Sequence, residues 1–317
     1  MRSCCEGGRS VHTISRQGSV SMPMLNIHHR TTYTFRETVS LSPHRMMLRP
    51  REGRELRLLS HKVSTSPETE LGWSNDVFGN SIASATFHTR SDSLVVDSSA
   101  TVELTASAWP VFAIAASAIN YPFLYAENDW TDLGALTVQQ YEDIDGRLAA
   151  WARGFVAGTP TDTLSLLKDI SLGIASSISY QSREEEGTQT PLLTLDRGWG
   201  SCRDFAVLFV ETVRSLGFGA RIVSGYLFNP DSSLTGSMEG GSTHAWAEVF
   251  VPGAGWITFD PTNRSMGSAN LIPVAVTRDI SHAVPVSGFF TGATDAFLSM
   301  VVAVEVEAID SAAAARL

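Results

Sequence analysis

The chain has 317 residues, of which 43% are hydrophobic and 18% charged, and its formal net charge is −10. That length allows one large or two ordinary domains with a substantial core, while the acidic balance argues against nucleic acid as the main ligand, because phosphate contacts need a cationic face. No apolar run approaches the roughly 18 residues of a membrane span.

Residues 1–23 are rich in Arg, Ser and Gly and lack the continuous apolar segment of a secretory signal. They are expected to be a disordered extension, with Met24 as the natural start. A strand pattern begins at once in Leu25–Phe35, where Tyr33 and Phe35 alternate with threonines. Arg54–Val63, Ala83–Thr89 and Leu94–Leu104 read as further strands, and Asn75–Asn80 carries turn chemistry between two of them. Residues 24–107 are therefore expected to form an antiparallel β domain. Its scattered histidines (His28, His29, His44, His61 and His88) read as surface or packing residues, and no metal or cofactor is expected.

Residues 108–140 read as a connecting segment whose aromatic residues, Phe123, Tyr125 and Trp130 among them, pack a seam between domains; a substrate groove is the lesser reading. A second domain is expected over 141–310, with a frayed tail over 311–317. Its first helix is expected over Tyr141–Phe155, from Ile144, Leu148, Trp151 and Phe155 at helical spacing. A second helix, capped within Thr161–Thr163, carries Leu164, Leu167, Ile170, Ile174 and Ile178 on one face. Arg183–Gly187 reads as a solvated charged loop. A third helix starts near Cys202, with Phe205, Leu208, Phe209, Val213 and Leu216 as its apolar face and Gly217 as its C-terminal cap. Strands follow at Ala220–Phe228, Thr243–Val251, Gly255–Phe259, Pro273–Val276 and Phe297–Ile309, and the polar loop Asn229–Gly241 is expected to be mobile.

The three cysteines are Cys4, Cys5 and Cys202. The folded body thus holds one cysteine and no internal disulfide, which suits a reducing, cytoplasmic setting. Cys202 stands between the glycine-broken turn Gly198–Gly200 and an apolar helix. A thiol with an ordinary pKa near ~8.5 is a poor nucleophile at neutral pH, and a helix N-terminus favours its thiolate. The Cys202 amide is a candidate oxyanion donor. His244 opens one strand and can serve as base. Asp260 closes another and can fix the imidazole tautomer. Taken singly, Cys202 could be a packed core residue and Asp260 a cap on Thr262 or Asn263. The ordered set is more persuasive than any member.

The segments Gly200-Ser201-Cys202-Arg203-Asp204-Phe205-Ala206, Ala220–Tyr226, His244-Ala245-Trp246-Ala247-Glu248-Val249 and Gly255–Asn263 resemble the core of the transglutaminase-like superfamily, over roughly residues 160–280. More narrowly, they resemble bacterial transglutaminase-like enzymes and cysteine proteases, whose N-terminal β domain is matched by Leu25–Leu104, with a weaker motif in Trp73–Asn80. The resemblance implies an α+β fold: a papain-like transglutaminase core, with the thiol helix packed on an antiparallel sheet, preceded by an N-terminal antiparallel β domain. It maps nucleophile, base and orienting carboxylate onto Cys202, His244 and Asp260. Arg203 and Asp204 are expected to pair or cap at the helix start, and Trp246 and Trp256 to wall the site. A second oxyanion donor is expected upstream of the cysteine, with Trp199, Ser201, Gln181 and Tyr180 all open, as is the role of the segment near His282. The implied activity is acyl transfer from a peptide or protein amide, more to water than to an amine. A binding module on the same fold is the alternative of another class; a missing triad member would favour it, and none is missing. The calcium used by human-type transglutaminases would need an acidic loop of ligand spacing, and the Glu184–Glu186 run is too short for one.

Overall fold

The computed structural model describes residues 23–183, 187–235 and 240–309. Cys4, Cys5, the expected extension up to residue 22 and the tail 311–317 lie outside the described residues, as do parts of the loops at 183–187 and 229–241. Among the described residues no helix is long and apolar enough to cross a membrane.

Six strands come first: β1 (Met24–Leu41), β2 (His44–Met46), β3 (Leu56–Ser66), β4 (Leu71–Asn75), β5 (Ser81–Ala85) and β6 (Arg90–Leu104). Their alternation is that of half-buried antiparallel sheet: on β1, Leu25, Ile27, His29 and Thr31 are buried while Asn26, His28 and Arg30 are exposed. A short strand β7 (Asn120–Tyr121) and helix α1 (Glu127–Leu133) follow, and then α2 (Arg147–Arg153). The helix expected over 141–155 is thus cut to its C-terminal half. The Asp143 carboxylate accepts from the amides of Leu148 and Ala149, which caps the chain there and leaves Ile144 exposed.

Strand β8 (Thr161–Asp162) pairs with β7 and leads into α3 (Thr163–Ser177). Asp162 caps α3 as expected, accepting from the Ser165 amide at 2.7 Å. After β9 (Ser179–Tyr180) comes α4 (Pro191–Arg197), then β10 (Trp199–Gly200) and α5 (Cys202–Ser215). The expected helix pattern had no place for α4, although Thr190 as cap and Pro191 in its first turn are a sequence signal for one.

The strands β11 (Ala220–Asn229), β12 (Gly240–Val251), β13 (Gly255–Asp260), β14 (Ser265–Met266) and β15 (Leu271–Thr277) form one antiparallel sheet in the order β14-β13-β12-β11-β15. Helix α5 packs on it. Phe205, Phe209 and Val213 are buried with Ile222, Ala247, Val249, Ile257 and Phe259 of the sheet. This is the expected α+β core, a thiol-bearing helix on an antiparallel sheet.

The last three strands, β16 (Val286–Ser287), β17 (Phe290–Thr291) and β18 (Phe297–Ile309), leave that sheet. Strand β18, expected at the end of the second domain, instead pairs antiparallel with β1 from Met24↔Ile309 to Phe35↔Phe297. β16 joins β2, and β17 joins the far end of β1. The N-terminal region therefore has two sheets, β17-β1-β6-β3 with β18 also on β1, and β16-β2-β5-β4. They share a core of Phe35, Val39, Met46, Ala85, Leu94 and Val96. The largest core cluster runs across both regions, joining Leu25, Ile27 and Val102 to α3, α5 and the second sheet. At that junction the buried His29 meets Tyr226 Oη at 3.1 Å, and burial pushes its pKa down to about 4.

Candidate active site

Helix α5 begins at Cys202 because several groups stop the chain there. Gly198 closes α4 in a left-handed conformation (φ 66°), which a side chain would resist. Ser201 caps α5, and Asp204 reaches back: its Oδ2 accepts from the Ser201 amide at 2.8 Å and from the Ser201 hydroxyl at 2.9 Å. Asp204 is fully buried and also accepts from the Gln189 amide and from Arg183, at 2.7 and 3.0 Å. The expected pairing role thus belongs to Asp204, with Arg183 as its cation. Arg203 donates to the Arg183 carbonyl at 3.2 Å. The Cys202 side chain remains partly accessible at the head of the helix, where the first amides have no intrahelical partners.

His244 lies on β12 and Asp260 at the end of the neighbouring β13. Both are almost fully buried, and His244 Nε2 is 2.8 Å from Asp260 Oδ2. Asp260 Oδ1 accepts from the amides of Thr262 and Asn263 at 3.0 and 3.3 Å. Asp260 thus caps the turn with one oxygen and meets His244 with the other. Asn263 Nδ2 adds a bond to Oδ2 at 2.8 Å. The sequence marks Asn263 only as a residue for Asp260 to cap; its side-chain bond to Oδ2 is not expected there, although Asn263 follows directly in the Asp-Pro-Thr-Asn run.

With Nε2 committed to Asp260, the other ring nitrogen, Nδ1, is buried without a partner of ordinary hydrogen-bond geometry. It is the nitrogen left to act on the Cys202 thiol, with which His244 is electrically coupled. Burial by itself would raise the thiol pKa; the neighbouring His244 and its charge, helped by the Ala245 amide and Arg203, hold it below the ordinary value. Burial by itself would lower His244; the charge and hydrogen bond of Asp260, together with Cys202, raise it instead to about 10. Asp260, which burial would raise, is kept below the usual carboxylate range by His244 and Asn263. All three shifts favour a thiolate facing an imidazolium.

Of the four open upstream donors, Ser201 spends its hydroxyl on Asp204 and Gln181 is exposed. Trp199 lies under the Arg197 guanidinium at 5.3 Å. Tyr180 is different. β9 runs parallel to β10 with Tyr180 opposite Gly200, two residues before the thiol. Its ring stands edge-on to Phe205 at 6.3 Å. Burial and then the Cys202 charge push its phenol up to about 12, against a hydrogen bond with Ser182, so it keeps its proton.

Trp246 stacks on the His244 ring, with centroids 6.1 Å apart and planes at 26°. Trp256 does not reach the site. It lies at the other end of the β12–β13 hairpin, against Phe250 and under Arg221, about 13 Å along the strand from Asp260. The aromatic residues of the connecting stretch are also remote: Tyr121 stacks on Phe218 and Tyr125 bonds the Gly219 amide, both just past the C-terminal end of α5, roughly 20 Å of helix away from Cys202. They pack on the far end of α5 and on the second sheet, not on the N-terminal region as a seam between domains would, and they do not line a groove at the thiol.

Known proteins share this arrangement of parts. The bacterial transglutaminase-like N-terminal region matches residues 25–103, and the transglutaminase-like superfamily matches residues 149–261, a span that holds Cys202, His244 and Asp260. An uncharacterised protein of Mycobacterium leprae is 26% identical over 283 residues, which cover 86% of this chain and 95% of that one. One from Mycobacterium tuberculosis is 27% identical over 299 residues, 87% of this chain and 91% of that one. Among solved structures, a Cytophaga hutchinsonii protein provisionally assigned as a cysteine protease has the same fold, with a TM-score of 0.68 at 20% identity over 92% of each chain. Its N-terminal region and its core are both matched in chain order, so the chain carries a transglutaminase-like core behind a bacterial transglutaminase-like N-terminal region.

Proposed function

We propose that this protein is a thiol-dependent acyl-transfer enzyme acting on peptide or protein amides, with Cys202 as nucleophile, His244 as acid and base, and Asp260 as the group that orients and charges the imidazole. One observation carries the reading: His244 bonds Asp260 through Nε2 and leaves a buried, unpartnered Nδ1 to the partly accessible thiol at the head of a helix. The Cys202 thiolate adds to the amide carbonyl. The oxyanion so formed is held by the Cys202 amide and the Tyr180 hydroxyl. The carbon–nitrogen bond then breaks as imidazolium His244 gives its proton to the leaving amine, and a thioester on Cys202 remains. Water, deprotonated by His244, attacks the thioester and releases a carboxylic acid and the free thiol.

Hydrolysis is preferred over transfer to an amine because the second region of the chain is built into the same core as the first, and no separate amine-binding domain is evident among the described residues. A thiol that must stay free favours a reducing compartment such as the cytoplasm. The decisive experiment incubates the protein with a peptide library, with and without a primary amine, and reads the products by mass spectrometry. Cleavage or deamidation that is lost in Cys202→Ala supports hydrolysis, and amine adducts would replace it with cross-linking. A folded protein that yields no product, and whose Cys202 reacts with iodoacetamide at pH ~6 no faster than a free thiol, would be a binding module instead.

A further inference from the structure

The Trp73–Asn80 stretch is the sequence motif to which the triad assigns no role. It ends in the turn between β4 and β5, and that turn is locked onto the edge of the second sheet. Asn80 is fully buried and pairs with both backbone groups of Val276 on β15, donating to its carbonyl at 2.8 Å and accepting from its amide at 2.9 Å. Arg51 donates to Asn80 Oδ1 at 2.6 Å and to the Phe78 carbonyl at 3.1 Å. Asp76 Oδ1 accepts from the amides of Phe78 and Asn80, each at 2.9 Å. So many bonds on five residues leave the turn one conformation, and the side chain they fix in place is Phe78.

A second buried asparagine works in the same way at the end of β11. Asn229 donates to the Leu234 carbonyl and accepts from the Leu234 amide, both at 3.2 Å. The next amide, of Thr235, donates to Asn263 Oδ1 at 2.8 Å, and Asn263 in turn bonds Asp260. Leu234 is thereby tied to the carboxylate that orients His244. Phe78 and Leu234 come from distant parts of the chain, yet both pack on one small apolar cluster that contains Trp246, the residue stacked on His244. Both remain only partly buried, and Val77 beside Phe78 is 94% exposed. Apolar side chains fixed this firmly and left partly open, one ring away from the base, are what an apolar recognition wall requires.

We propose that Phe78 and Leu234, backed by Trp246, form an apolar subsite of the acyl donor, which takes a large apolar side chain on the residue preceding the one whose carbonyl meets Cys202. This rests on the acyl-transfer reading above and names its substrate class. It also gives the N-terminal β region a direct share in substrate choice.

Peptidyl chloromethyl ketones test it, because they alkylate a thiolate from the substrate position and need no turnover. Two probes that differ only in Phe or Gly at the preceding residue are compared by the rate at which free Cys202 disappears, with iodoacetamide as a probe that lacks a peptide. The wild type is expected to favour the Phe probe by at least about 10-fold, the low end for a filled apolar pocket. Phe78→Ala should bring that ratio close to one, with each probe rate divided by the variant's own iodoacetamide rate so that any change in thiolate reactivity cancels. If Phe78→Ala fails to fold, Leu234→Ala carries the same comparison. A wild-type ratio near one, or a ratio that survives in both variants, overturns the subsite while leaving acyl transfer standing. A Cys202 inert to iodoacetamide in the folded protein overturns acyl transfer, and the subsite with it.

Discussion

Cys202 and His244 shift one another in opposite directions, and the consequence can be counted in protons. Between the ordinary imidazole value of 6.5 and the ordinary thiol value of 9.0, the unfolded pair carries one proton, on sulfur. Wherever the lowered thiol has ionised, the folded pair also carries one, on nitrogen, because His244 is held up at about 10. Equal counts mean that the pair adds no pH dependence to stability over that part of the window. Below 6.5 the unfolded chain gains a second proton that the folded pair resists, so stability falls with falling pH; above 9.0 the folded chain keeps a proton that the unfolded one has lost, so stability falls as pH rises through about 10. Cys202→Ala unbalances the count. Asp260 still raises His244, so above 6.5 the folded variant holds one proton more than its unfolded form until His244 itself titrates. Relative to the wild type, the variant should lose stability between about pH 6.5 and about pH 8.5, which urea midpoints at the two pH values measure. Parallel midpoints would mean that thiol and imidazole are both neutral in the folded protein. Tyr180→Phe asks a separate question. It keeps the ring against Phe205 and removes one hydroxyl, so kcat should fall by about 10²-fold with KM and the iodoacetamide rate little changed. An unaltered kcat would remove Tyr180 from the reaction.

Strand β11 is where a single methyl group would be felt most. Gly225 lies opposite His244 in the β11–β12 ladder, and the β11–β15 ladder slips between Ser224 and Gly225. A Cβ at 225 would come within 2.1 Å of the Ile272 carbonyl oxygen and 2.8 Å of the Trp246 ring. The carbonyl belongs to backbone, so β11 or β15 must shift, and the Trp246 ring must give way as well. Gly225→Ala should cost about 1–3 kcal/mol of stability or more and slow alkylation of Cys202 at pH ~6, because Trp246 carries the stack on His244. A lowered urea midpoint with unchanged alkylation would show that the stack does not position the base. The same region explains what was legible in the sequence. Cys202, His244 and Asp260 sit in runs whose residue types announce their chemistry locally. In the sequence Tyr180 is one of four open donors and Asn263 only a residue for Asp260 to cap; what places them is strand pairing and a turn, which no local pattern displays. Helix α4 had a readable cap in Thr190 and Pro191, but its seven residues are too few to show a period. The helix expected from Tyr141 had the period and lacked the conformation, because Asp143 satisfies the amides of Leu148 and Ala149 and starts the helix late.

The return of the chain to its own beginning was not legible at all, for the physical reason that a strand pattern records burial and not the identity of its partner. Strand β18 reads as a strand and is one, yet its partner lies more than two hundred residues earlier, on β1. The pairing has consequences for the whole molecule. β1 becomes an inner strand, bonded to β6 on one side and to β18 on the other. Val306 of β18 is buried in the largest core cluster, and it sits where a Cβ on Gly241 of β12 would touch it, at 2.6 Å. The end of the chain thus closes the N-terminal sheet and presses on the strand that carries His244. Removing residues 297–317 would open the edge of β1 along its whole β18 ladder, leave the Val306 position empty and uncover Leu25 and Ile27, which belong to the same cluster as Phe205 and Phe209 of the thiol helix. An unpaired backbone edge and a breached core are both costly. Chains of this length often unfold in stages, but a core shared between the regions predicts one transition. Tryptophan fluorescence, far-ultraviolet circular dichroism and exposure of Cys202 should therefore share one urea midpoint in the full chain, and the truncated chain should lose sheet structure and thiolate reactivity together. A truncated protein that keeps rapid Cys202 alkylation at pH ~6 while its N-terminal sheet is unfolded would show instead that the two regions fold independently.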